Sequence, residues 1–188
     1  PYTKVEALWK EAINLVDDPC IGLKVAALLH PGGRGALGYA WLASSSLREA
    51  FTRLVRFLKV TTEGVECCIE EDTGKFSVIH SFNKDALNIP QLVDSQLAIL
   101  VALCRMNYGQ TLDPVAVAFT HSAPEEPGEY FAFFRCPVIF DAPDNRITLT
   151  QEHVDKRLTS ANPLLAQLHE QVMIDYLAKL EGDNIIER

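Results

Sequence analysis

The chain has 188 residues, of which 48% are apolar and 22% charged, and a formal net charge of −8. That length suits one domain able to bury roughly 70% of the surface its unfolded form exposes, and the composition excludes a disordered segment. The negative balance excludes a surface built to grip a phosphate backbone, so any contact with nucleic acid would come from another segment.

In chain order, Val5, Leu8, Trp9, Ala12, Ile13 and Val16 recur at helical spacing and predict a first helix, ended by Asp17-Asp18-Pro19. A second helix is expected over Cys20–Leu29, just after the proline. Then comes "HPGGRGALGYA", His30 to Ala40, in which Gly33, Gly35 and Gly38 have the G-x-G-x-x-G spacing of a dinucleotide loop. Such a loop needs a strand ending at its first glycine and a helix opening at once, whose N-terminus holds the pyrophosphate. Gly22–His30 could pass as the strand, but "YAWLASSS" predicts an interruption, and Glu63, the acidic residue at ribose distance, falls in a turn-like stretch. We therefore expect a glycine-rich connection between two helices that lets Leu37 and Tyr39 reach the core. An enzyme using a nucleotide cofactor at Gly33–Gly38 remains the alternative reading.

Ser46 and Glu49 form a capping box for a helix whose apolar face is Leu47, Ala50, Phe51, Leu54, Val55 and Leu58. Arg48, Arg53, Arg56 and Lys59 lie mostly opposite, as a solvated face. Alternation in "VECCIEE" and "KFSVIHSF" around Asp72-Thr73-Gly74 predicts a hairpin with His80 on its buried face. The span from Ile89 to Gly109 predicts a long helix buried nearly all round, with Arg105 at its end. "PVAVAFTH" predicts a third strand with Val115, Val117, Phe119 and His121 on one face. "CPVIF" and "RITLT" predict two short strands, and Leu165, Leu168, Val172, Tyr176 and Leu180 line up on a final amphipathic helix. Helices mixed with antiparallel pairs, without strand–helix alternation, predict an α+β domain: a mixed, largely antiparallel sheet packed with several helices.

Catalytic and metal chemistry find no footing in this pattern. There is no G-x-S-x-G elbow, the five histidines have no H-x-x-x-H or H-E-x-x-H spacing, and paired acids such as Asp17-Asp18, Glu70-Glu71 and Glu125-Glu126 fall at element ends and turns. No catalytic residue, metal ligand or cofactor is expected. Five cysteines without C-x-x-C spacing read as free thiols of a reducing cytoplasm. No charged-then-apolar leader opens the sequence, and the longest apolar run, Leu97–Cys104, is far too short for a bilayer. A start at Pro1 and the ending "GDNIIER" lead us to expect a piece of a longer polypeptide.

Four motifs occur in order: Gly35-Ala-Leu37-Gly38-Tyr39, the Ser44–Ala50 helix start, Phe119-Thr-His121-Ser-Ala-Pro124 and Phe134-Arg-Cys136-Pro-Val-Ile-Phe140. Together they resemble the N-terminal effector domain, often labelled arabinose-binding-like, of bacterial AraC-type transcription regulators. The resemblance implies a sensing and dimerising domain over 1–181. A linker would begin at 182–188 and lead to a helix-turn-helix DNA-binding domain absent from this chain. It implies a small-molecule effector, a homodimer, no membrane partner, and contact with DNA only through the absent domain. The sugar in the label is not carried over, because a sugar-binding cupin would be nearly all strand. An effector pocket needs apolar walls with a few convergent polar groups. The candidates are Tyr39 and Trp41 beside the loop, His80 and His121 on strand faces, and Arg105, a cation suited to an anionic effector. A ligand-free dimerisation module is the remaining alternative.

Overall fold

The structure is a computed structural model that describes residues 2–61, 65–82 and 89–186. Glu63 lies outside the described residues, as do the side chains of Lys59 and Leu180.

Helix α1 (Tyr2–Val16) rests Trp9 and Ile13 on Ile89 and Leu92 and leaves Leu8 and Leu15 exposed. Asp18 accepts the Cys20 N–H at 2.9 Å ahead of α2 (Ile21–Ala27), which lies so close to α5 (Pro90–Tyr108) that a Cβ on Gly22 would overlap the Gln91 carbonyl oxygen. The glycine run departs from the sequence expectation. Pro31–Arg34 makes one 3₁₀ turn, and α3 (Gly35–Ala43) begins inside the run, so there is no interruption after Gly38. The dinucleotide arrangement still fails, for the opposite reason: the helix is present, but α2 stands where the strand must be. No side chain caps α3; its apolar sequence is helical because it is enclosed by other elements, which is a tertiary effect. Gly38 is required for packing, since a Cβ there would overlap the Pro31 carbonyl oxygen. Leu37 does reach the core, whereas Tyr39 points outward, 44% exposed.

Helix α4 (Leu47–Thr61) buries the predicted face, with Val55 only half-buried. Ser46 Oγ accepts the Glu49 N–H at 3.2 Å, while the Glu49 carboxylate reaches one residue further back, accepting the Ser45 N–H at 2.6 Å. The arginine side is paired rather than bare: Arg48 bridges Asp155 and Glu71, and Arg53 and Arg56 share Glu170.

β1 (Val65–Asp72) and β2 (Lys75–Phe82) form the predicted hairpin, in register from Val65–Phe82 to Asp72–Lys75, with Gly74 at φ +75° in the turn. β5 (Asn145–Thr150) pairs antiparallel with β2 on its other side, giving a five-stranded sheet of order β1-β2-β5-β3-β4. β3 (Ala116–Ala118) is shorter than predicted, with Val115 exposed beyond its end, and β4 (Val138–Ile139) runs parallel to it. Phe51 of α4 meets Phe76 of β2 at 5.8 Å between ring centroids, closing the core against the sheet. α5 is buried on nearly every side, as its composition predicts, and stops at Gly109, φ +122°.

Two short helices, α6 (Gly128–Phe134) and α7 (Gln151–Asp155), were not legible as helices in the sequence. α8 (Pro163–Ile186) opens on an Asn162 cap and continues through Ile186, so the expected boundary at 181/182 falls inside one helix. No helix among the described residues is long and apolar enough to cross a membrane.

Candidate functional site

The five residues singled out from sequence do not converge. Trp41 is core: its indole N–H donates to the Leu103 carbonyl at 3.2 Å, and its ring meets Phe51 edge-on. Arg105, 8% exposed, is committed to backbone. Its Nε donates to the Leu112 carbonyl at 3.1 Å, Nη1 to that of Phe133 at 2.7 Å and Nη2 to that of Phe134 at 2.9 Å. A guanidinium there answers the unpaired carbonyls at the end of α6, where the helix dipole favours a cation. Tyr39 stacks on His169 of α8, centroids 5.3 Å apart.

His121 belongs to a largely buried hydrogen-bond network. Its Nε2 lies 2.9 Å from Oδ1 of Asp94, a fully buried residue of α5, and its Nδ1 lies 2.9 Å from the Ser122 carbonyl. Both neighbours offer acceptor oxygens, an arrangement that favours a protonated ring donating from both nitrogens. Burial is the largest single influence and opposes a charge on the ring, but the hydrogen bonds to Asp94 and Ser122 and the Asp94 and Asp141 charges together outweigh it, and the His121 pKa is raised. The Tyr130 hydroxyl donates to the other Asp94 oxygen at 2.7 Å. Burial foremost, then Asp94, pushes the Tyr130 pKa up. This network ties α5 to the segment after β3 and to α6.

His80 is the opposite case. It lies in β2 between Cys67 and Asn145, 3% exposed, and its Nδ1 is buried without a hydrogen-bond partner. Burial, with the nearby Arg34 charge as a smaller cause, pushes its pKa down to about 4. All five cysteines are free. Burial raises the thiols of Cys20, Cys67, Cys104 and Cys136, to about 12 for Cys67 and about 11 for Cys136, which makes them poor nucleophiles. Asp18, Cys20 and Glu129 approach one another closely enough to invite a cation. The Lys24 ammonium already sits there, 2.6 Å from Asp18 and 3.6 Å from Glu129.

A concave site lies elsewhere among the described residues, in a seam between the glycine turn and the last helix. Arg34, Ala36, Leu37 and Phe57 form one wall and Val172, Met173, Tyr176 and Leu177 the other, around a cavity of about 250 Å³. Seven of the eight are apolar or aromatic. The eighth, Arg34, is partly buried between two glycines, and among the described residues its guanidinium has no carboxylate or hydrogen-bond partner. Burial lowers its pKa. None of the five sequence candidates lines this cavity. The signal for Arg34 was present but faint: a lone cation inside an apolar, glycine-rich run, with no acid three or four residues away.

Comparison with known proteins adds to this geometry. A family model described as the arabinose-binding domain of AraC transcription regulators, N-terminal, matches residues 1–158. The ornithine utilization regulator of Pseudomonas aeruginosa is 24% identical over 169 residues, 89% of this chain and 50% of that protein. The crystal structure of the transcriptional regulator CdpR from Pseudomonas aeruginosa superposes with a TM-score of 0.74 at 18% identity, covering 88% of this chain and 54% of that one. The chain therefore spans about half the length of the regulators it matches.

Proposed function

This chain belongs to the family of N-terminal arabinose-binding domains of AraC transcription regulators, and from that premise we propose that it senses a small-molecule effector in the cavity between Arg34 and α8. The observation that carries this reading is the cavity's position. One wall belongs to the family-matched domain, and the other is the helix that follows it, outside the matched residues. An effector that binds better when α8 is docked biases α8, and with it whatever follows, by its differential affinity for the two arrangements. DNA contact then falls to a C-terminal domain beyond this chain, consistent with its net charge of −8. Regulation rather than catalysis, in the cytoplasm, completes the reading.

Thermal unfolding of the purified chain against a broad metabolite library tests it. A binder should raise Tm with concentration, and Met173→Trp, which fills the cavity, should abolish the shift. Shifts that survive Met173→Trp would place the effector elsewhere, and no shift from any compound would remove the sensing role.

Self-association is the second part of the reading. Leu164, Leu165, Leu168, Val172 and Tyr176 are all exposed on α8, an apolar stripe of the kind that marks an interface. A second copy of this chain is its proposed occupant, since an isologous pairing buries the same stripe twice. Sedimentation velocity should find a dimer that Leu168→Glu converts to monomer with unchanged helical content. A monomeric parent chain would overturn this part alone.

A further inference from the structure

Resting on that sensing reading, we infer that the effector is a small organic acid with an apolar body, its carboxylate paired with Arg34 and its body lying between Leu37, Phe57, Met173 and Leu177. Three observations lead there. First, among the described residues Arg34 is the only charged one of the wall, and no acid or carbonyl among them uses its guanidinium. The arginines of α4, by contrast, are paired: Arg53 and Arg56 with Glu170, Arg48 with Asp155 and Glu71. A partly desolvated guanidinium presents a fork that fits a carboxylate with two parallel hydrogen bonds, worth most where water is excluded.

Second, among the described residues the rest of the wall offers no further cation and one hydroxyl, that of Tyr176. That suits a monoanion and disfavours a phosphate, which would need several donors, and a polyol, whose hydroxyls would be stripped of water without partners. Third, a cavity of about 250 Å³ lies just under the roughly 300–1,000 Å³ usual for drug-sized ligands, which suits a body the size of a short chain or a single ring. Such an acid would touch both walls at once. Its charge would hold the Pro31–Arg34 turn and its body would press on α8, so occupancy would favour the docked helix.

The test uses the intact 188-residue chain and two matched series, butyrate, hexanoate and octanoate against 1-butanol, 1-hexanol and 1-octanol, read by thermal shift and by titration calorimetry. The acids should raise Tm while alcohols of the same length do not. Arg34→Gln should weaken acid binding at least about tenfold, and Arg34→Lys, which keeps the charge but not the fork, should retain part of it. Acids and alcohols binding equally, or Arg34→Gln binding acids as the parent does, would overturn the inference while leaving the cavity as a sensing site. Stabilisation only by library compounds without an acidic group, abolished by Met173→Trp, would do the same. If no compound of any class binds, both readings fall. Should Arg34→Gln fold poorly, the acid–alcohol contrast on the parent chain and the Arg34→Lys variant still decide.

Discussion

Replacing Asp94 by alanine is expected to lower the unfolding free energy by about 3–5 kcal/mol, the usual loss when one partner of a buried ion pair is removed. The carboxylate is fully buried and serves the His121 ring at 2.9 Å and the Tyr130 hydroxyl at 2.7 Å, so its loss strands two buried donors together. The pH dependence separates this from simple loss of packing. The folded-state pKa of His121 lies above the usual 6.5, because desolvation, the largest single influence, is outweighed by the Asp94 and Ser122 hydrogen bonds and the Asp94 and Asp141 charges together. Its stabilisation is therefore complete below pH 6.5 and fades as pH rises through the raised folded value. Asp94→Asn keeps the shape and removes the charge, so urea unfolding at pH 6 and pH 8.5 should show the parent losing stability over this interval and Asp94→Asn losing less. Equal slopes, or an Asp94→Ala change under 1 kcal/mol, would show that His121 and Asp94 are not coupled as their geometry implies.

His80 should produce the opposite trend in the acid range. Its folded pKa of about 4 lies below the unfolded 6.5, mainly through burial and secondarily through Arg34. The neutral ring is what the fold accepts. The contribution is thus complete above pH 6.5 and is lost as pH falls from 6.5 toward 4, amounting to about 3 kcal/mol at about 1.4 kcal/mol per pH unit. His80→Phe leaves no group to protonate, and the buried Nδ1 has no hydrogen bond to lose. Unfolding measured at pH 7 and pH 4.5 should therefore show a smaller acid loss in His80→Phe than in the parent. Identical losses would mean that the ring is open to water or that the carboxylates alone govern acid unfolding.

These two histidines show how far sequence reading reaches. Both fall on strand-like alternation and both were candidates for an effector pocket. Period-two patterning finds the hairpin and the burial of His80, because the register is local and Asp72-Thr73-Gly74 sets it, but not that β2 is buried on both faces, with Ser77 and Ile79 covered as well. It cannot say that His121 meets Asp94, which lies 27 positions away in the chain, on a helix. Nor can it say that Arg105 is consumed by α6, because α6 itself is not legible: "GEYFAFF" is seven residues long and carries no side-chain cap. The motifs carrying the family resemblance prove to serve packing: Gly38 against Pro31, His121 against Asp94, and Phe134 as an acceptor for Arg105. A recurring motif that builds the fold draws the eye away from the site that the fold creates.

From its own patterning the sequence determined the α+β class, the hairpin, the buried α5, the capped start of α4 and the family, since each rests on contacts within a few residues or on an ordered set of motifs. Only the tertiary structure decided that the glycine run ends in a helix, that α8 folds back across it, and that the arginine between two glycines is, among the described residues, left unpaired beside the cavity between them. The physical reason is the same in each case. Helicity in an uncapped apolar segment, the partner of a buried charge and the shape of a cavity are set by what packs across from them, over sequence distances that local periodicity does not span.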